Sequence, residues 1–398
     1  MRASCLPEGK GNLFQRIKSQ CVEAERQGIK LYRLSIGQPS GPALLSARGA
    51  AADAVMSGEE RMHEYQDNGS PGVPSFALQF VGSQVRNHPK VWVGRGGLAV
   101  LPIPGIKPIL GMIPKACGGI GGHKINMLTM TDPGYPTPAD QANYLGMIHQ
   151  ALPTNPENQF RFSIDDIPAD TTDLIMTNYP HNPSGQIATK EWWRELCTFC
   201  EINEIRLFND AAYAVLTHVD GACTLTDAIG GDFPDLSWSE AFSASKVIGN
   251  GTGWRIGALI GSPDFVSDIA TIKGNSDSGF FAPAAAGVLH AVNYDQGSIQ
   301  HNRVIYERRI DILIDLLEDN GMRLAVRPGA GFFTLWLMPK KAFGRIIGNG
   351  EEFNDLMINK TGIVGVPFGR YIRYAVTGLI EEWKAPITKG FMLAEVSY

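Results

Sequence analysis

TDLIMTNYPHNPSGQIATKEWWRELCTFCEINEIRLFNDAAY, residues Thr172 to Tyr213, is the stretch whose reading decides the fold. The apolar runs TDLIMTNY and IRLFND have strand length, and the KEWWRELCTFCEINE segment between them is amphipathic at helical spacing. Strand, helix and strand in that order make a βαβ unit, which places two parallel strands side by side under a crossover helix. The alternation extends outward in both directions. KINMLTMT (from Lys124) precedes the unit, and LSWSEAFS and RIGALIGS (to Ser262) follow it. The spacing therefore predicts an α/β architecture over about residues 124–262, with a mostly parallel sheet covered by helices on both faces.

After Pro283 the pattern changes. Val304, Ile305, Ile310, Leu313, Ile314, Leu316 and Leu317 recur at helical spacing between Arg303 and Asn320, and Asn320-Gly321 supplies a stop. The strand-like FFTLWLM (Phe332 to Met338) and YIRYAV (Tyr371 to Val376) come next, so a smaller α+β unit is expected here. The N-terminal helix expected from Leu13 to Gly28 is assigned to that unit. Residues 45–290 form the expected large domain, and 1–44 with 291–398 the small one.

With 398 residues, 44% of them hydrophobic and 19% charged, the chain has the composition of a globular protein rather than a disordered or fibrous one. A net charge of −5 supplies no global positive field, so neither nucleic acid nor an anionic membrane is an expected partner. GGLAVLPIPGIKPILGMIP, from Gly96 to Pro114, is apolar enough to suggest a span. Lys107 and the prolines at 102, 104, 108 and 114 break it as a helix, and it reads as loops around a short strand. The opening MRASCLPEGKG lacks an apolar run of signal-peptide length, and six cysteines are no disulfide framework in a chain this long. Both features lead to the expectation of a cytoplasmic protein.

In open α/β sheets ligands bind beyond the carboxyl ends of the strands. LIMTNYP is followed there by His181-Asn182-Pro183-Ser184-Gly185, IRLFN by Asp210-Ala211-Ala212-Tyr213, and LSWSEAF by Ser243-Ala244-Ser245-Lys246. Upstream, LAVLPIP leads to Gly105-Ile106-Lys107 and INMLTMT to Asp132-Pro133-Gly134-Tyr135-Pro136. Each element alone has an ordinary structural reading: Asp210 as a turn cap, Lys246 as a solvated lysine, NPSG as a turn. Their placement in order after successive strands puts a carboxylate, a lysine, a phenol and an amide on one rim.

These residues resemble the pyridoxal-phosphate enzymes of the aspartate aminotransferase fold, fold type I. The resemblance covers most of the chain. It runs through LSIGQPSGP (Leu34 to Pro42), Tyr65-Gln66-Asp67-Asn68-Gly69, PGIK, DPGYP, HNPSG, NDAAY, SASK with GTGWRIG, and IRYAV, in family order. It implies that Lys246 holds pyridoxal phosphate as an internal aldimine and moves a proton once released, passing through a pyridoxamine phosphate intermediate. Such work needs a pKa brought from about 10.4 toward 7–8. By the same resemblance Asp210 pairs with the pyridine nitrogen, Tyr213 and Asn182 bond the ring oxygen, and Tyr135 stacks on the ring. The backbone N–H groups of Ile106 and Lys107, together with Ser243 and Arg255, hold the phosphate. Tyr65 reaches the phosphate of a neighbouring subunit, which implies a homodimer, and Arg373 with the Gly37 backbone grips the substrate α-carboxylate.

Three positions depart from the pattern: Lys246 and Arg255 stand nine residues apart, one more than usual; Ser184 replaces threonine; and Pro138 stands where one subgroup has histidine. The resemblance implies an aminotransferase acting on an amino acid and a 2-oxo acid, similar to the LL-diaminopimelate aminotransferase branch. The alternative is a lyase or synthase of the same fold, of the β-C–S lyase or aminocyclopropane-carboxylate-synthase kind. A regulatory relative would carry an N-terminal DNA-binding domain, for which a chain whose LSIGQP begins at Leu34 leaves no room. Elsewhere, Cys197 and Cys200 have zinc-like spacing without a second pair and read as helix-packing thiols, so no metal site is expected. Gly94 to Gly97 and Gly118 to Gly122 match no nucleotide-binding fingerprint, and Trp192-Trp193 reads as packing.

Overall fold

The computed structural model describes residues 13–87 and 97–398. The N-terminal MRASCLPEGKG and the glycines 94–96 lie outside the described residues. The chain enters through helix α1 (Leu13–Arg26), which buries Ile17, Cys21 and Ala24, and continues into the two-residue strand β1 (Tyr32–Arg33).

Seven strands then build the main sheet: β2 (Ala99–Ile103), β3 (Asn126–Thr129), β4 (Ile148–Ala151), β5 (Leu174–Thr177), β6 (Arg206–Asp210), β7 (Trp238–Ser243) and β8 (Gly257–Gly261). Their spatial order is β2-β8-β7-β6-β5-β3-β4. Every pairing is parallel except those of β8, which runs antiparallel to both β2 and β7. The expected mostly parallel sheet is therefore present, with β8 the one reversed strand. Glycines explain how β8 fits. A Cβ at Gly257 would lie 2.5 Å from the Phe242 carbonyl oxygen and one at Gly261 2.1 Å from that of Trp238, so the backbones approach more closely than any side chain allows.

The crossover helix spans Lys190–Ile202. Thr189 caps it by accepting from the Trp192 N–H, and its inner face buries Trp193, Leu196, Cys197 and Cys200 against the sheet. Burying the Trp193 side chain alone contributes about 2–3 kcal/mol of apolar transfer. The two cysteines are packing groups here, and burial raises both thiols above their ordinary range.

The later part of the chain forms a second, antiparallel sheet. The strands here are, in chain order, β9 (Leu324–Val326), β10 (Phe333–Leu337), the separate hairpin β11 (Lys341–Ala342) and β12 (Arg345–Ile346), β13 (Ile363–Val364), β14 (Val366–Phe368) and β15 (Tyr371–Ala375). The sheet order is β14-β15-β10-β9, while β13 pairs in parallel with β1. Helix Gln296–Glu318 starts earlier than the apolar periodicity suggests, because Asp295 caps it by accepting from the Ser298 N–H. Helix α1 lies against helix Gly350–Thr361, where Arg16 meets Glu351 at 3.1 Å and Gln20 donates to Asp355 at 3.3 Å. None of the described helices is long and apolar enough to cross a membrane.

Candidate active site

Strands β5, β6 and β7 all end on the same side, and the loops leaving them surround a cavity of about 1200 Å³. Asn182, Asp210, Tyr213, Ser243 and Lys246 line it from those loops; Ile106, Lys107, Tyr135 and Arg255 line it from the neighbouring ones. Gly37 and Arg373 come from the β1 side and from β15. Of the residues given a cofactor or substrate role in the sequence reading, Tyr65 alone is not in this wall. It is 77% exposed on a loop outside the cavity.

Asp210 closes β6 and accepts the Ala212 N–H at 3.1 Å. Burial raises its carboxyl to about 6, opposed by the positive charge of Lys246. Lys246 follows β7 through a single turn of 3₁₀ helix, Ala244–Lys246, and its Nζ lies 4.9 Å from the centre of the Tyr213 ring. Burial lowers its ammonium to about 8; Asp210 works against that shift, while Arg255 and Arg373 reinforce it. A lysine and a carboxylate thus line one half-open cavity with pKa values drawn toward neutrality, the condition for proton transfer near pH 7.

Arg373 sits mid-strand in β15 and is 1% exposed. Its guanidinium donates to Asn182 Oδ1 at 2.7 Å and to the Ser35 carbonyl at 3.1 Å, and lies 4.0 Å from the Phe333 ring centre. Nε has no partner, and no carboxylate among the described residues pairs with the group. A buried cation held only by neutral groups is a receptor for an anion. The Gly37 backbone stands beside it: a Cβ there would sit 3.7 Å from Nη2.

A second anion receptor lies across the cavity. Gly105, at φ +76°, caps the short helix Ile106–Ile109, and a Cβ on it would fall 2.4 Å from Arg255 Nη2. Arg255 is bonded only to the carbonyls of Thr252 (2.9 Å) and Pro104 (3.3 Å), which leaves its charge unpaired. Ser243 donates to Ser245 Oγ at 2.8 Å, putting two hydroxyls at the same end. The loop between Lys246 and Arg255, which is one residue longer than the family spacing, is bonded to residues 41–44. Leu44 N–H donates to Ile248 O at 2.8 Å, and Asn250 donates to Gly41 O at 3.2 Å.

Sequence reading missed Lys18, Arg33 and Lys115, which also line the cavity. They follow no strand-end motif. Among the described residues Asp210 is the only carboxylate in the wall, facing seven lysines and arginines. Also unforeseen is the fully buried Glu240, which accepts from Asn209, Leu225 and Thr226 with four contacts of 2.7–3.1 Å beneath the Asp210 strand.

The cavity fits the expected cofactor: a glycine cradle beside an unpaired arginine for a phosphate, a carboxylate for a protonated ring nitrogen, and a lysine between them. The family model for aminotransferase class I and II matches residues 29–378. The LL-diaminopimelate aminotransferase of Methanococcus maripaludis is 31% identical over 91% of this chain and 85% of its own length. That of Methanocaldococcus jannaschii is 29% identical over the same shares. Among solved structures, an aspartate aminotransferase double mutant from Thermus thermophilus superposes with a TM-score of 0.81 at 17% identity, covering 99% of this chain and 100% of the other. That likeness speaks to the fold.

Proposed function

The chain belongs to the class I and II aminotransferases, pyridoxal-phosphate enzymes, and on that premise we propose that it moves an α-amino group between a dicarboxylic amino acid and a 2-oxo acid. LL-diaminopimelate is the first substrate to try, given the relatives just described. The observation that carries the reading is the convergence of Lys246, Asp210 and Arg373 on one cavity whose other charged lining residues, among those described, are all cationic.

Bound pyridoxal phosphate supplies an electron-withdrawing pyridine ring that makes the substrate's Cα–H acidic. Asp210 holds the ring nitrogen protonated, and the ionic pair reverses the cost of burying this carboxylate. Lys246 Nζ would anchor the cofactor and, as a free amine, would serve as the base that holds the substrate's Cα proton. Tyr135 covers a ring face; Tyr213 and Asn182 address the ring oxygen, Asn182 with its amide N–H because its Oδ1 is engaged by Arg373. The N–H groups of Ile106 and Lys107, the hydroxyls of Ser243 and Ser245, and Arg255 take the phosphate. Arg373 binds the substrate α-carboxylate, with Gly37 leaving room beside it. Tyr65, exposed on its own subunit, completes the phosphate site of a second copy in a cytoplasmic homodimer. The domain division at 45 and 290 places Arg373 on the small domain and Lys246 on the large one.

Arg373→Ala is expected to raise KM for α-amino acids about 100-fold, the loss of a charge-assisted bidentate pair. An unchanged KM removes Arg373 from the substrate site. Lys115, a further cation of the cavity wall, makes a second prediction: Lys115→Ala raises KM for glutamate and diaminopimelate about tenfold and leaves that for alanine in place. Initial rates across a donor and acceptor panel test both, and equal effects on alanine and glutamate would contradict a dicarboxylic substrate.

A further inference from the structure

Lys273 is 0% exposed, yet the mechanism above does not use it. Burying an ammonium is costly unless its partners are well placed. Here its Nζ donates to Asp277 Oδ1 at 2.7 Å, to Asn68 Oδ1 at 3.2 Å and to the Asp67 carbonyl at 3.4 Å. The ammonium therefore ties the loop after its own helix to a loop 200 residues earlier in the chain.

The tie is reinforced by the backbone. The N–H groups of Gln66 and Asp67 both donate to the Ser278 carbonyl, at 3.2 and 3.0 Å. Gly279, at φ +95°, permits this approach, since a Cβ there would lie 2.6 Å from the Asp67 nitrogen. Asp277 Oδ1 also accepts the Gly279 N–H at 2.8 Å. Gln66 is 1% exposed and bonds the carbonyls of Arg61 and Glu64 and the Gly72 N–H. Asp67 and Ser70 stand at φ +40° and +51°, a conformation that costs non-glycine residues on the order of 1 kcal/mol or more and persists only where its surroundings enforce it. The large aromatic side chain that this braced loop presents to solvent is Tyr65, 77% exposed.

We propose that Lys273, acting through Asp277 and the 65–70 loop, is a positioning residue that holds Tyr65 ready for the cofactor phosphate of the second subunit. The inference rests on the dimeric reading given above. A fixed loop loses no conformational freedom when the phosphate binds, so the clamp strengthens cofactor retention without touching the cofactor.

Pyridoxal-phosphate retention by the holoenzyme, followed on dilution by absorbance, tests the proposal in Tyr65→Phe, Lys273→Met and the double variant. Tyr65→Phe and Lys273→Met are each expected to weaken retention about tenfold, and the double variant no further than either alone, because both remove the same contact. Amide hydrogen exchange in residues 65–70 should also quicken in Lys273→Met. Retention unchanged in Lys273→Met but lost in Tyr65→Phe overturns the clamp and leaves the dimeric reading standing. Fully additive losses, or unchanged exchange, overturn the clamp as well. No effect of Tyr65→Phe removes Tyr65 from the second site and takes the clamp with it. If thermal unfolding shows that Lys273→Met does not fold, Lys273→Met with Asp277→Asn, which removes both charges of the pair together, is judged by the same outcomes.

Discussion

Lys246→Ala is expected to lower transamination by about 10⁴-fold or more while leaving pyridoxal phosphate bound without a covalent link. Two contributions vanish together: the amine that anchors the cofactor and the base that moves the Cα proton, the latter alone worth roughly 10²–10⁴. The groups proposed to take the phosphate, around Gly105 and Arg255, remain, so noncovalent binding is expected to persist. The wild-type lysine carries a pH signature of its own. Its pKa is lowered from 10.5 to about 8 by burial. Covalent capture of pyridoxal phosphate by the cofactor-free protein should therefore rise about tenfold from pH 6 to 7 and level off above about pH 8, as the neutral amine becomes dominant. Stopped-flow absorbance measures this directly; capture still rising steeply at pH 10 would mean an unperturbed lysine.

Asp210→Asn should separate stability from activity. Turnover is expected to fall by two to four orders of magnitude, since losing one partner of a buried ion pair costs about 3–5 kcal/mol. Without cofactor the same change should stabilise the fold. The carboxyl is raised from 3.8 to about 6 by burial, so its folded pKa lies above the unfolded one. Such a group binds more protons folded than unfolded: its protonated form favours the fold below about pH 4, and that advantage is lost as pH rises through about 6. At pH 7 or above the wild-type carboxylate therefore costs the cofactor-free fold about 2–3 kcal/mol, which asparagine does not. Thermal unfolding of cofactor-free protein at pH 7.5 should place Asp210→Asn several degrees above wild type. A lower transition, or near-normal turnover, would contradict the role given to Asp210.

Much of the site was legible because its residues follow strand ends. LIMT, IRLF and LSWSEAF are buried strands, and the polar groups after them had to emerge on one rim once the strands were read as parallel. The crossover helix was equally plain from the spacing of Trp193, Leu196, Cys197 and Cys200. What the sequence hid depends on pairings between distant segments. The antiparallel course of β8 rests on close contacts at Gly257 and Gly261, which a linear pattern does not display. Lys18, Arg33 and Lys115 sit in or beside apolar stretches with no motif, and only the folded chain turns them toward the cavity. Glu240 lies inside a strand as a charge among apolar neighbours, and its partners Asn209 and Thr226 come from other elements. Lys273 looks like an ordinary helix-end cation until Asn68 and Asp277 are seen around it. The bonds that tie the loop between Lys246 and Arg255 to residues 41–44 likewise join segments some 200 positions apart and leave no mark in the linear pattern.

The most direct test of the central claim is the visible absorption spectrum of the protein reconstituted with pyridoxal phosphate, recorded as glutamate, aspartate, alanine, aromatic amino acids and diaminopimelate are added singly. The account predicts a band of lysine-bound cofactor that gives way to the pyridoxamine form with a dicarboxylic donor and returns with a 2-oxo acid. The absence of a lysine-bound band, or a band that persists through turnover while ammonia is released, would contradict it, the latter outcome placing the chain among the lyases of the same fold.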